Sequence, residues 1–258
     1  MARRVSYTAI VLAGSRPGRD AFAGQFGTDL KALIPVRGEP MVARPVRALL
    51  ASASVRNIVV LSQEPERIAA VLPEDGRLVV QRSSGTIAQT MLALCQDAAT
   101  RWPLLVTTAD HALLDVATVD EFCSASKGAD LTVGVVERAA LMKRLPETRR
   151  TWLKFRGGAY TGANLFTLGS PKVAPAIELW RTVEQDRKKG WRLISLVGLG
   201  TLAGTLLGML GIDDVLVRLG SKLELRIEAV RLTNPLAGVD VDKAEDHALA
   251  DSILAGKA

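Results

Sequence analysis

The sequence is poor in the residues that most often carry catalysis on their own. It has two cysteines, Cys95 and Cys123, 28 positions apart and without a Cys-x-x-Cys. That excludes a disulfide scaffold and a cysteine-held zinc site, and it suits a reducing cytosol. It has two histidines, His111 and His247. That scarcity excludes three-histidine metal sites, His-Glu-x-x-His and most Ser-His-Asp arrangements. Eleven aromatic residues in 258 are few for a protein that stacks bases, so nucleic acid is not an expected partner. The phosphate loop Gly-x4-Gly-Lys-Ser/Thr is absent, and no Gly-x-Gly-x-x-Gly follows a strand. Gly198-Leu-Gly200 lies in a different, apolar context. The first apolar stretch, Tyr7 to Gly14, is too short for a secretory signal and reads as a first strand.

What is present is a core-forming chain, 48% hydrophobic and 23% charged. Its net charge of +6 by itself admits nucleic acid, an acidic membrane surface or a phosphorylated small molecule, and the few aromatics weigh against the first. The first 140 residues alternate between two periods. Strands are expected at 7–13, 57–61, 77–81, 103–108 and 129–136. Helices are expected from Pro40 or Met41 to Ala53, and over 64–71, 86–99 and 115–126. Strand then helix, repeated four times, predicts a mostly parallel sheet with helices on both faces. The second half is less regular. A helix and an exposed basic loop are expected over 138–152, and a strand over 159–168. A helix follows over 173–189, then a strand over 223–230 and a last helix over 244–254. With no linker visible, the chain reads as a single domain over 1–258, with halves meeting near 135.

Four segments carry candidate chemistry. The loop Leu12-Ala13-Gly14-Ser15-Arg16-Pro17-Gly18 follows the first strand, where parallel sheets bind ligands. Its backbone N–H groups can wrap a polyphosphate, and Arg16 adds charge; the competing reading is a surface turn. Lys31 lies between a polar loop and an apolar run, and that loop is long enough to fold it back over a phosphate. The bland alternative is a solvated lysine. Asp110 sits at the end of an apolar strand and suits Mg2+, which prefers carboxylate and phosphate oxygens; a turn or cap aspartate is the alternative. His111 reads as its neighbour and not as a ligand. Asp240 and Asp242 are two apart on an extended segment and face one side. Asp242 also fits as a cap for the last helix, with Glu245 completing a capping box.

Taken in order, Leu12-Ala-Gly-Ser-Arg16, Lys31-Ala-Leu-Ile-Pro-Val-Arg-Gly-Glu-Pro-Met, Ala109-Asp110 and Val239-Asp-Val-Asp-Lys-Ala-Glu-Asp246 resemble the MobA-like NTP transferase family. Each motif alone is weak; the ordered set is specific. It covers residues 5–135 and returns at 223–255. The resemblance implies a glycosyltransferase-A-like, Rossmann-like fold. It implies that Leu12, Ala13, Gly14, Ser15 and Arg16 hold the nucleotide, with Lys31 stabilising charge on the triphosphate. Arg82, Ser83, Ser84, Gly85 and Thr86 would approach the base or ribose. Asp110 would bind Mg2+, with Asp240 or Asp242 as the second ligand. Lys31, Arg16 and Asp110 are therefore the expected catalytic set. The sequence departs from the family pattern at Pro17, in the long insert before Lys31, and in His111-Ala112, where an acidic-then-proline turn is usual. These departures bear on the substrate more than on the reaction.

The implied reaction is in-line attack by an acceptor phosphate on the α-phosphorus of an NTP, CTP or GTP first, with release of pyrophosphate. An acceptor phosphate is already anionic near pH 7, so no general base is required. The acceptor falls to the second half. There Gly157 to Asn164 offers small residues and an amide, and Lys154 leads a group of cations that otherwise form a solvated face. Lys154, Tyr160, Gly162 and Asn164 are the expected acceptor contacts.

Leu193 to Leu210 runs eighteen residues without a charge, after Arg187-Lys188-Lys189. Its Gly200, Gly204 and Gly208 have the spacing of packed helices. An apolar helical insert over about 191–220 is expected, buried or dimer-forming; a membrane-surface element over 187–210 is the alternative. The protein is expected in the cytoplasm, or peripheral to the inner membrane face. A nucleotide-sugar glycosyltransferase using Asp240-Val-Asp242 as its metal motif, and a nucleotide-sensing domain without turnover, are the rival functions. Lys31 favours an NTP over a nucleotide sugar, and the retained charged residues favour turnover.

Overall fold

The computed structural model describes residues 5–14, 20–83, 85–185, 198, 200–201, 204 and 208–257. Ser15, Arg16, Ser84 and most of the apolar run 193–210 lie outside the described residues. Among the described residues no helix is long and apolar enough to cross a membrane.

Strand β1 (Tyr7–Leu12) is apolar and buried at all six positions, as a central parallel strand must be. It pairs in parallel with β4 (Val55–Ser62) on one side and β6 (Leu104–Thr108) on the other. Strand β5 (Leu78–Arg82) extends the sheet beyond β4. Since the chain goes from β1 outward to β4 and β5 and then returns to β6, the sheet reverses its order between β1 and β6. The loops after these two strands leave to opposite sides, and a crevice opens between them. The second half extends the sheet past β6 with an antiparallel insertion. Strand β9 (Gly158–Leu168) runs antiparallel between β6 and β7 (Leu131–Glu137), and β8 (Leu153–Phe155) pairs with β9 off the main path. Strand β10 (Ile227–Arg231) closes that edge in parallel with β7. The order is β10-β7-β9-β6-β1-β4-β5. The sheet is thus mostly parallel, as expected.

Helices cover both faces: α2 (Ala43–Ala51), α3 (Pro65–Ala69), α4 (Ile87–Gln96), α5 (Val116–Ala125), α6 (Arg138–Arg144) and α7 (Ala174–Gln185). The last two are α8 (Ile212–Leu223) and α9 (Ala244–Leu254); a four-residue α1 (Ala21–Gly24) precedes Lys31.

Two expected boundaries are corrected. Helix α2 starts at Ala43, because Glu39–Pro40 (β3) instead pairs with Pro35–Val36 (β2). The intervening Arg37 and Gly38 both have positive φ, 54° and 75°, the twist a two-residue hairpin favours. The strand expected over 223–230 is Ile227–Arg231, and Leu223 is the last residue of α8. Glu224 ends that helix in the left-handed region, and Gly220 allows the Leu225 carbonyl to close over it. Of the expected apolar insert, Gly200, Thr201 and Gly204 are helical, and α8 begins at Ile212.

Candidate active site

The crevice beside β1 is built by backbone first. Ala109 N donates to the Leu12 carbonyl at 3.0 Å, and Ala13 N donates to the Leu61 carbonyl at 2.9 Å. Val241 N donates to the Asp110 carbonyl at 3.0 Å. Four segments far apart in sequence therefore meet at the carboxyl end of the sheet. Asp110 follows β6 directly, and the Thr108 hydroxyl donates to its Oδ1.

Lys31 opens a single 3-10 turn, Lys31–Leu33. Its Nζ donates to Asp110 Oδ2 at 2.6 Å and also to Asp242 Oδ1. The lysine and Asp110 side chains are only 21% and 19% exposed, whereas Asp242 is 61% exposed. Burial works against the lysine charge. Asp110 and Asp242 outweigh it, so its pKa is raised and it stays an ammonium. The loop brings Lys31 back to the strand-end aspartates.

Asp240 is engaged differently. Its carboxylate pairs with Arg150, and its Oδ2 accepts from Asn164 Nδ2 at 3.3 Å. Asn164 sits in the left-handed region, φ 47°, which asparagine tolerates better than most residues and which aims its amide at Asp240. Burial raises the Asp240 pKa, and the charges of Asp242 and Asp110 add to it against Arg150. The three aspartates are thus neighbours held by two different cations, Lys31 and Arg150. Among the described residues no group of three acidic, histidine or cysteine side chains is arranged to hold a metal. The fit to Mg2+ is that of a pair. Asp110 and Asp242 already converge on a cation, the lysine ammonium. Mg2+ typically takes one or two carboxylates and completes its shell with phosphates and water. The donor set suits that ion and not an all-protein cage.

The nucleotide loop is described only at its start. Leu12 and Ala13 are buried and present backbone alone. Gly14 has the Gln63 side-chain amide 3.0 and 3.1 Å from where a Cβ would stand, so only glycine leaves that space open. On the same rim, Arg82 is held by Glu66 at 2.9 and 3.0 Å, and it also donates to the Gln63 carbonyl. Ser83 N donates to the Ser62 carbonyl at 2.8 Å, continuing the strand pairing. Thr86 caps α4, its hydroxyl accepting from Gln89 N at 3.3 Å, and Gly85 has φ 96° with Gln89 folded against it. Local capping accounts for Gly85 and Thr86.

The acceptor residues separate. Asn164 reaches the aspartates. Gly162 is exposed, with open space where its side chain would be. Lys154 is exposed on β8. Tyr160 is a correction: it is buried in a satellite core with Val135 and Ile212, under the Arg231 guanidinium, and its ring packs the hairpin. The capping expectation is also corrected. Lys243, and not Asp242, stands at the N-cap of α9, and Glu245 pairs with Lys243 at 2.6 Å. His111 is buried, with burial lowering its pKa to about 4, so it is a neutral core neighbour of Asp110.

Sequence reasoning passed over two groups. Asp246 accepts from Asp242 N at 3.3 Å through Oδ2, and from Arg150 at 2.9 Å through Oδ1. Its position four after Asp242 was the available signal. His247 Nε2 donates to the Pro35 carbonyl at 2.7 Å, and the ring packs on Phe26, ring centres 4.5 Å apart. Together with Phe22 it fastens the segment before Lys31 to α9.

The profile of the MobA-like NTP transferase domain matches residues 9–195. A protein of Thermus thermophilus solved as a hypothetical transferase is 32% identical; the match covers 94% of this chain and 100% of that one, with a TM-score of 0.80. The 4-diphosphocytidyl-2C-methyl-D-erythritol synthase of Anaerococcus prevotii is 10% identical over 97% of this chain and 96% of its own, TM-score 0.61. A CMP:2-keto-3-deoxy-manno-octonic acid synthetase solved with CTP is 12% identical over 98% and 100%, TM-score 0.59. The last two are likenesses of fold. No curated protein matches by sequence. The profile match, reaching past β1, Lys31 and Asp110 into the second half, places this chain in the MobA-like NTP transferase family.

Proposed function

We propose that the protein is a nucleotidyltransferase. It moves an NMP unit from an NTP to a phosphorylated small-molecule acceptor and releases pyrophosphate. The observation that carries this reading is the ammonium of Lys31 seated between Asp110 and Asp242, in the crevice beside Gly14. A triphosphate entering that crevice meets a fixed cation and open backbone. An oxygen of the acceptor phosphate forms the new bond to the α-phosphorus. The bond from that phosphorus to the β-bridging oxygen breaks, and its electron pair leaves on pyrophosphate. No proton has to be removed from the acceptor, which agrees with a site whose adjoining His111 is buried out of reach of a substrate. Lys31 neutralises charge on the phosphates, and the rigid β1–β6 floor holds them in line. Asp110 and Asp242 would hold Mg2+, which when bound supplies further charge neutralisation at the phosphate oxygens. On the acceptor side, Asn164 reaches Asp240, and the exposed Gly162 is the neighbouring position open to a second substrate.

The test is calorimetric binding of ATP, CTP, GTP and UTP with and without Mg2+, on wild type and Asp110→Ala. Pyrophosphate release with phosphorylated acceptors follows. Selective binding of one NTP that weakens without Mg2+ or without Asp110 supports the reading and names the donor; CTP and GTP come first. Binding of a nucleotide sugar and of no NTP overturns it.

A further inference from the structure

Arg150 belongs by sequence to a basic stretch with Arg149 and Lys154 that would form a solvated or acceptor-facing surface. The structure places it inside, with its side chain only 9% exposed. One terminal nitrogen pairs with Asp240 Oδ1. The other donates to the Asp240 carbonyl at 3.2 Å and to Asp246 Oδ1 at 2.9 Å. Asp246 then uses its second oxygen to accept from the backbone N–H of Asp242 at 3.3 Å. Asn164 occupies the second oxygen of Asp240. One guanidinium therefore holds an oxygen and the carbonyl of Asp240 directly, and the Asp242 N–H through Asp246.

We propose that Arg150 is a positioning residue that fixes this segment so that Asp242, and not Asp240, meets Lys31; the inference rests on the nucleotidyltransferase reading of that site. Asp240 cannot turn toward Lys31 without leaving Arg150 and Asn164. Asp242 cannot withdraw without losing the Asp246 acceptor of its N–H. A buried ion pair adds little net stability over apolar side chains of the same shape, so stability alone does not account for it. What a planar fork adds is geometry: it binds two carboxylates and a carbonyl in one arrangement. A lysine, with a single compact charge, cannot hold all three acceptors in place. The stretch 145–152, on the acceptor side, is in this way coupled to the phosphate side.

The test compares wild type with Arg150→Lys. It reads the thermal midpoint, kcat and KM for the NTP, and the ratio of NTP affinity with Mg2+ to affinity without it. We expect Arg150→Lys to fold and to bind NTP alone as wild type does. The gain in affinity from Mg2+ should fall about tenfold or more, the usual loss when a residue that orients metal ligands is changed, so KM for the NTP in Mg2+ should rise with it while kcat also falls. A folded variant with a lower midpoint but the full Mg2+ gain and full kcat overturns the proposal and leaves Arg150 a strut. Should Arg150→Lys not fold, Asp246→Asn carries the same test. It removes the charge and keeps an acceptor for Asp242, and retention of the full Mg2+ gain overturns the proposal. Wild type that binds no NTP overturns the nucleotidyltransferase reading itself, and is told apart from a failure specific to Arg150.

Discussion

Replacing Lys31 with methionine keeps the length of the side chain and removes its charge. Two effects follow from the geometry, and they run in opposite directions. The hydrogen bond to Asp110 is partly buried and charge-assisted, a class worth roughly 1.5–3 kcal/mol. The bond to Asp242 is to an exposed carboxylate and contributes about 0–1 kcal/mol. Removing both should cost about 2 kcal/mol, which lowers the midpoint of a chain this size by roughly 4–8 °C. The two carboxylates are then neighbours without their cation. Mg2+ alone, without nucleotide, should bind the variant more tightly than wild type, and should restore part of the lost midpoint by mass action. Turnover should nevertheless fall by roughly 10²–10³, the usual effect of deleting one fixed charge or donor aimed at the reacting group. The assay is a thermal melt in Mg2+ titrations alongside pyrophosphate release. Unchanged turnover in the folded variant would refute the role given to Lys31. An unchanged Mg2+ response would refute the claim that the ammonium occupies the cation position.

Other expectations are narrower. Gly14→Ala puts a Cβ 3.0–3.1 Å from the Gln63 amide, which can swing away, so stability should change by less than about 1 kcal/mol. NTP affinity measured by calorimetry should drop about tenfold, because the methyl group takes space at the phosphate loop. Gly220→Ala meets the Leu225 carbonyl at 2.3 Å, backbone that cannot yield, so denaturant unfolding should show a loss of about 3 kcal/mol. Burial raises the Cys123 thiol and the Tyr7 phenol to about 12 each, above their unfolded values. Both groups ionise more easily unfolded, so their stabilisation is complete below about pH 9 and is lost as pH rises to about 12. For Cys123 alone the loss is at most about 4 kcal/mol. Midpoints should therefore fall steeply from pH 9 to 12, and Cys123→Ala should flatten that slope; an equal slope would contradict the burial account.

The parts of the fold legible in the sequence were those with a strong local period. Strands β1, β4 and β6 are short apolar runs bounded by polar loops, and the α5 segment has a clear aspartate cap at Asp115. The β2–β3 hairpin was not legible, because Met41 and Val42 extend the helical pattern of α2 back across it. The antiparallel direction of β9 was not legible either, since alternation along a strand carries no sign of direction. In the site, Asp110 stands out as a charge at the end of an apolar strand, and Lys31 as a charge at the start of an apolar run. Arg150 was hidden by its neighbours. Among several arginines and lysines nothing local marks the one that turns inward, and its partners Asp240 and Asp246 are about ninety residues away. Tyr160 misled for a related reason: an aromatic beside glycines looks like a ligand contact until Arg231 and Ile212 cover it.

Strand β9 sets the order in which the chain can complete itself during synthesis. Strands β6 and β7 are not paired with each other; each is hydrogen-bonded to β9, which leaves the ribosome only after both. Until residues 158–168 emerge, β6 is an open edge whose Leu104, Leu105 and Val106 are almost wholly buried in the finished protein. A nascent chain halted between β7 and β9 is thus a sheet with an adhesive flank, the kind of species that chaperones hold. A fragment ending at residue 150 should be insoluble when expressed alone, and co-expression with the remaining residues should rescue it. Solubility of the fragment by itself would mean that β6 finds another cover.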